Sequence, residues 1–114
     1  MKNTRPISWL KGARRDFEEF PPEVQRGALT ALTIAAEGGK ADTAKPLRGV
    51  GGGAFEIALR HRGNAYRVIY SVQIGVDVWV VDAFQKKSKT GIKTPKVDVD
   101  RIRERLQRLR EMLR

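Results

Sequence analysis

The chain has 114 residues, 40% of them hydrophobic, with no cysteine, one histidine and a formal net charge of +10. That length supports one hydrophobic core, so a single domain over residues 1–114 is expected. The lack of cysteine excludes disulfides, a thiolate nucleophile and a zinc–thiolate site, and no apolar run is long enough for a leader or a membrane span, so a cytoplasmic location away from membranes is expected.

The charge is uneven. Residues 40–96 hold eleven basic and four acidic side chains and so contribute +7 of the +10. A surface of this kind attracts polyanions.

Arg5 to Leu10 alternates, with Ile7 and Trp9 on one side, and predicts a short first strand. From Ala13 the spacing turns helical, with Phe17 and Phe20 three apart, until Pro21-Pro22 ends it. Pro22 then opens a second helix along Val24, Ala28, Ala31, Leu32 and Ala35, closed by Gly38-Gly39. Together these make a helical hairpin.

Lys40 to Gly53 reads as a glycine-rich loop. It lacks the order of residues of a nucleotide-binding loop, so a flexible approach to a strand is the better reading. Three strands follow, Ala54 to Arg60, Ala65 to Gln73 and Val76 to Phe84, joined by short turns at Arg62-Gly63-Asn64 and Gln73-Ile74-Gly75. They predict an antiparallel meander. The third is apolar on both sides and is expected at the centre of the sheet.

Gln85 to Lys96 holds five lysines and no acid, and reads as a basic loop. Asp98 to Arg114 sets Ile102, Leu106, Leu109 and Leu113 on one helical face and predicts a C-terminal amphipathic helix. The fold class is therefore α+β: a largely antiparallel sheet with an N-terminal helical hairpin and a C-terminal helix, the helices packed on one face.

Chemistry must come from cations, because no histidine, cysteine or carboxylate cluster has metal-site spacing and no serine-elbow motif occurs. No metal or cofactor is expected. Cations suit transfer at a phosphate: RNA supplies its own 2′-hydroxyl as nucleophile, and the protein need only orient it, offset growing charge and move protons. Arg67 lies within Tyr66-Arg67-Val68-Ile69-Tyr70, a rigid element with an apolar opposite side; it either contacts phosphate or pairs with Glu56 on a neighbouring strand. Arg60 has the same choice. Lys86, Lys87 and Lys89 leave the end of the third strand, where loops display functional groups. His61, beside a turn, is either a proton-transfer group or an idle surface histidine. Tyr66, Tyr70 and Phe84 read as core residues before base-stacking ones.

The segments Phe17-Glu18-Glu19-Phe20-Pro21, Lys45-Pro46-Leu47-Arg48-Gly49, Glu56-Ile57, Tyr66-Arg67-Val68-Ile69-Tyr70 and Ala83-Phe84-Gln85-Lys86-Lys87-Ser88 together resemble the phage-derived branch of the RelE/HigB toxin superfamily. The resemblance runs from about Trp9 to Lys96. It implies a RelE-like fold and a metal-independent, ribosome-dependent endoribonuclease that cuts messenger RNA as the toxin of a type II toxin–antitoxin system. A cognate antitoxin, a small helix-turn-helix DNA-binding protein, is the implied partner. Carried over to this chain, the resemblance makes Arg67 the contact to the scissile phosphate, with Lys86, Lys87 and Arg60 as catalytic cations. Lys89, Lys93, Lys45, Arg48 and His61 are then expected to bind RNA. Two departures stand out: Glu56 and Ala58 occupy positions where RelE has catalytic lysines, and Asp82 stands where many relatives have a histidine. An alternative within the same fold is a non-catalytic toxin acting on a protein target such as DNA gyrase.

Overall fold

The computed structural model describes residues 4–87 and 93–114. Strand β1 (Ile7–Trp9) leads into helix α1 (Lys11–Glu18), and the Pro21-Pro22 step separates α1 from α2 (Pro22–Ala36). Proline fits the start of α2 because the first helical N–H needs no partner there, and Gly38, at φ 93°, makes the left-handed exit. Strands β2 (Ala44–Pro46), β3 (Ala54–His61), β4 (Asn64–Ser71) and β5 (Val78–Lys86) follow, and helix α3 (Lys96–Met112) comes after them.

The five strands form one sheet in the order β1-β5-β4-β3-β2. β1 pairs with β5 in parallel, and the other pairs are antiparallel. The β3–β4 hairpin turns through Arg62 and Gly63, both with positive φ (50° and 80°), the signature of a two-residue turn that follows the twist of its strands.

Four expectations need correction. The helices lie on both faces of the sheet, not one. Tyr66, Val68 and Tyr70 of β4 join the core formed with α1 and α2, while Ile69 joins Ile102, Leu106 and Leu109 of α3 on the other side. A strand apolar on both faces needs cover on both, and β4 and β5 each receive it. Second, β4 holds the middle of the sheet, with β5 between β4 and β1. Third, the loop expected over Lys40 to Gly53 contains edge strand β2: Ala58 N–H donates to the Thr43 carbonyl and Leu47 N–H to the Ala54 carbonyl, each at 2.9 Å. Pro46 is tolerated because β2 is an edge strand.

β5 also runs two residues further than expected, so Lys86 sits on a strand and not in a loop. An irregularity between Ile69 and Tyr70 leaves Val81 as an extra residue in β5. Val81 packs under α3, and the next residue, Asp82, also turns to α3. Among the described residues no helix is long and apolar enough to cross a membrane.

Candidate functional site

Side chains alternate along strands, so the register fixes which residues share the α3 side of the sheet. Arg60, Ala65 and Lys86 face each other across β3, β4 and β5 in one row. Ala58, Arg67 and Phe84 form the next, and Glu56, Ile69 and Asp82 the one after, with Lys45 of β2 beside Glu56. Arg67 is thus diagonal to both Arg60 and Lys86: Ala58 and Ala65 lie between it and Arg60, and Ala65 and Phe84 between it and Lys86.

The centre of this face is buried and ionic: Glu56 is 1% exposed, Lys86 7% and Arg67 8%. Arg67 Nε lies 3.6 Å from Glu56 Oε1, and Arg67 Nη1 donates to the Tyr66 carbonyl at 3.3 Å. Glu56 Oε2 accepts a hydrogen bond from the Thr94 hydroxyl. Burial first, then the charge of Arg67, with smaller contributions from Lys45 and Arg60, holds the Lys86 ammonium below the ordinary lysine value of 10.5, against the opposing pull of Glu56. Burying ions is costly, and clusters of perturbed charges gather at functional sites.

Exposed cations rim two clefts that flank Arg67. One, of about 430 Å³, is lined by Arg60, Asn64, Lys86 and Lys87 among others. The other, of about 370 Å³, has Lys45, Arg48 and Lys93 on its rim, Glu56 and Thr94 within it, and Leu47 and Val99 as apolar wall. A third cleft of about 450 Å³, between α1 and β5, is of mixed charge, with the carboxylates of Asp16 and Glu19 opposite Lys87 and Arg101.

The structure therefore brings Arg67, Lys86 and Arg60 together, with Lys87 beside them and Lys45, Arg48 and Lys93 around the second cleft. His61 is not among them. It follows Arg60 on the strand and so faces the other side, where its Nδ1 sits 3.2 Å from Glu23 Oε2 of α2. Lys89 lies outside the described residues. Tyr66 and Tyr70 are core residues, packed on Phe20 and Phe55 with ring centroids 4.9 and 5.3 Å apart.

Asp82 is fully buried and occupied. Its Oδ2 accepts from Arg101 Nε and its Oδ1 from Arg105 Nη1, both at 2.9 Å, and Oδ1 also accepts from Ala83 N–H. Burial pushes its carboxyl above the ordinary 3.8, and the two arginines pull against that without cancelling it. Asp82 clamps α3 to the sheet. The sequence held a signal for this clamp, since an acid inside the apolar run Val81-Asp82-Ala83 needs cations and Arg101 and Arg105 are spaced one helical turn apart. Nothing in the sequence pointed to Thr94 as a partner of Glu56.

The class these observations define is a small, strongly basic α+β protein with a buried ionic cluster on one face of a five-stranded sheet. The phage-derived Gp49-like protein family matches residues 15–107, and the chain belongs to it; the family is one of RelE-type toxins. No curated protein sequence matches the chain. Among solved structures, the toxin–antitoxin complex RelBE2 from Mycobacterium tuberculosis is similar at 22% identity, over 77% of this chain and 98% of that one, with a TM-score of 0.48.

Proposed function

We propose that the chain is the toxin of a toxin–antitoxin pair and an endoribonuclease that cuts messenger RNA on the ribosome, in the cytoplasm, without a metal cofactor. The observation that carries this reading is the row structure of the α3-side face: Arg60 and Lys86 flank Ala65 across the sheet and Arg67 follows it along β4, so three cations converge on one small residue. In this reading the ribose 2′-hydroxyl attacks the adjacent phosphate, and the cations offset charge as it grows on the phosphoryl oxygens. Lys86, an ammonium more acidic than usual, donates a proton to the leaving 5′-oxygen. Lys87, Lys45, Arg48 and Lys93 hold neighbouring phosphates, and an antitoxin covers the basic face.

The test is induced expression in a bacterial host with genome-wide mapping of new RNA 5′ ends. Arg67→Ala would strand the buried Glu56, so Arg67→Lys and the exposed pair Arg60→Gln with Lys87→Gln are the better variants. Growth arrest with in-frame cuts by the wild type, lost in both variants, is expected. Arrest with intact messages would shift the target to a protein, such as DNA gyrase.

A further inference from the structure

β1 accompanies β5 only as far as Val80, so the outer edge of β5 from Asp82 to Lys86 has no strand beside it among the described residues. The cleft of about 450 Å³ opens along that edge, between Asp16 and Glu19 of α1 and Arg101 of α3. It shares Gln85 and Lys87 with the cleft lined by Arg60 and Lys86, so the two adjoin. A nucleotide with its phosphate in the cationic cleft can reach the other with its base.

The lining suits a flat ring. Phe20 and Tyr66, both buried, give an apolar floor. Arg101 is held as a fixed plane: Nε donates to Asp82 Oδ2 at 2.9 Å, Nη2 donates to Asp98 Oδ1 at 2.7 Å, and Cζ sits 5.5 Å from the centre of the Phe84 ring. Nucleobases stack on such guanidinium planes. Asp16 and Glu19 stand three residues apart on the α1 wall and so share one side of it. Asp16 pairs with Arg15 at 3.8 Å, but a solvent-facing pair of this kind is worth little and is easily exchanged. Carboxylates accept hydrogen bonds and donate none. Of the four RNA bases, only guanine presents two adjacent N–H donors on one edge, at N1 and at the 2-amino group. Adenine and cytosine place a ring-nitrogen acceptor beside their amino group, which a carboxylate repels.

We propose that the cleft between α1 and β5 recognises a guanine beside the cut. The ring stacks on Arg101, and the carboxylates of Asp16 and Glu19 accept from N1–H and the 2-amino group. These two acids set specificity and touch no reacting atom.

The inference rests on the endoribonuclease reading, and the experiment separates the two. Purified full-length protein is mixed with ribosomes programmed with short messages that carry G, A, C, U or inosine at one position at a time. Inosine is guanosine without the 2-amino group. At one position beside the cut, the wild type should show a kcat/KM about ten- to a hundredfold higher for G than for A, C or U, and inosine should lose most of that advantage. The double variant Asp16→Asn with Glu19→Gln should lose the preference and cut messages without G there as fast as the wild type does. Wild-type cutting that ignores G, or that treats inosine as G, overturns the inference alone. So does a double variant that keeps the preference or slows on every message alike. If the double variant does not fold, the inosine comparison decides. A wild type that cuts nothing removes the endoribonuclease reading, and this inference with it.

Discussion

Arg67 and Glu56 sit 3.6 Å apart on neighbouring strands, both buried, so each is the other's main electrostatic support. Removing one leaves an uncompensated charge in the interior. Arg67→Met should therefore cost about 3–5 kcal/mol, and adding Glu56→Gln should recover much of it. Urea denaturation of the two single variants and the double variant measures the coupling; additive losses would show that the pair is not coupled.

Lys86 gives a pH signature with a definite sign. Its ammonium is held below 10.5 in the folded chain, so its charge opposes folding at every pH below its folded pKa. That cost disappears as pH rises through the folded pKa towards 10.5. Relative to Lys86→Gln, the wild type should therefore gain stability across that alkaline window. NMR titration of the Lys86 ε-carbon should show a midpoint below 10.5, lowered further by Glu56→Gln and raised by Arg67→Met.

The clamp on α3 sets a third expectation. Asp82→Ala removes the acceptor of both Arg101 and Arg105 from the buried side of the helix. The loss should be about 2–4 kcal/mol, below the full cost of a buried ion because both arginines keep some contact with water. Hydrogen exchange should speed up first along α3 and the adjoining half of β5. Protection unchanged there would contradict the clamp.

Arg62 has a positive φ of 50° in a turn that favours asparagine or glycine. Arg62→Asn should stabilise the fold by about 0.5–1 kcal/mol, readable as a higher midpoint in thermal or urea melts.

RNA binding should weaken steeply with salt. For a single strand, each phosphate contact adds about 0.7 to the slope of log affinity against log salt. Replacing Lys45, Arg48 and Lys93 together by glutamine should flatten that slope by about 2, measured by fluorescence anisotropy on a short oligonucleotide. An unchanged slope would place the RNA elsewhere.

Much of the fold was legible because periodicity is local. The spacing from Val24 to Ala35 and from Ile102 to Leu109 made helices, and the alternation from Phe55 to Leu59 made a strand, as found. Helices on both faces were missed although Tyr66 to Tyr70 already carried the signal, because apolar residues on both sides of a strand say how much cover is needed and not where it comes from. Strand β2 was hidden for a related reason: three residues with a proline reveal an edge strand only through their partner, here Phe55 to Ile57. At the site, Arg60, Arg67 and Lys86 were readable as cations on strands or at their ends. The face each occupies depends on register, so His61, one residue from Arg60, could not be separated from it by composition alone. Thr94 as a partner of Glu56 joins residues 38 apart and leaves no local trace.

β1 lies parallel to β5, pairing Ile7 with Val78 and Trp9 with Val80. The first strand therefore has no place in the sheet until the last one exists, which makes the topology highly non-local and favours slow assembly. A nascent chain carrying only its N-terminal half can form α1 and α2 but cannot close the sheet, and the rows of cations that need β3, β4 and β5 side by side do not exist. Any activity of that face thus begins only once β5 has been made and has paired with β4.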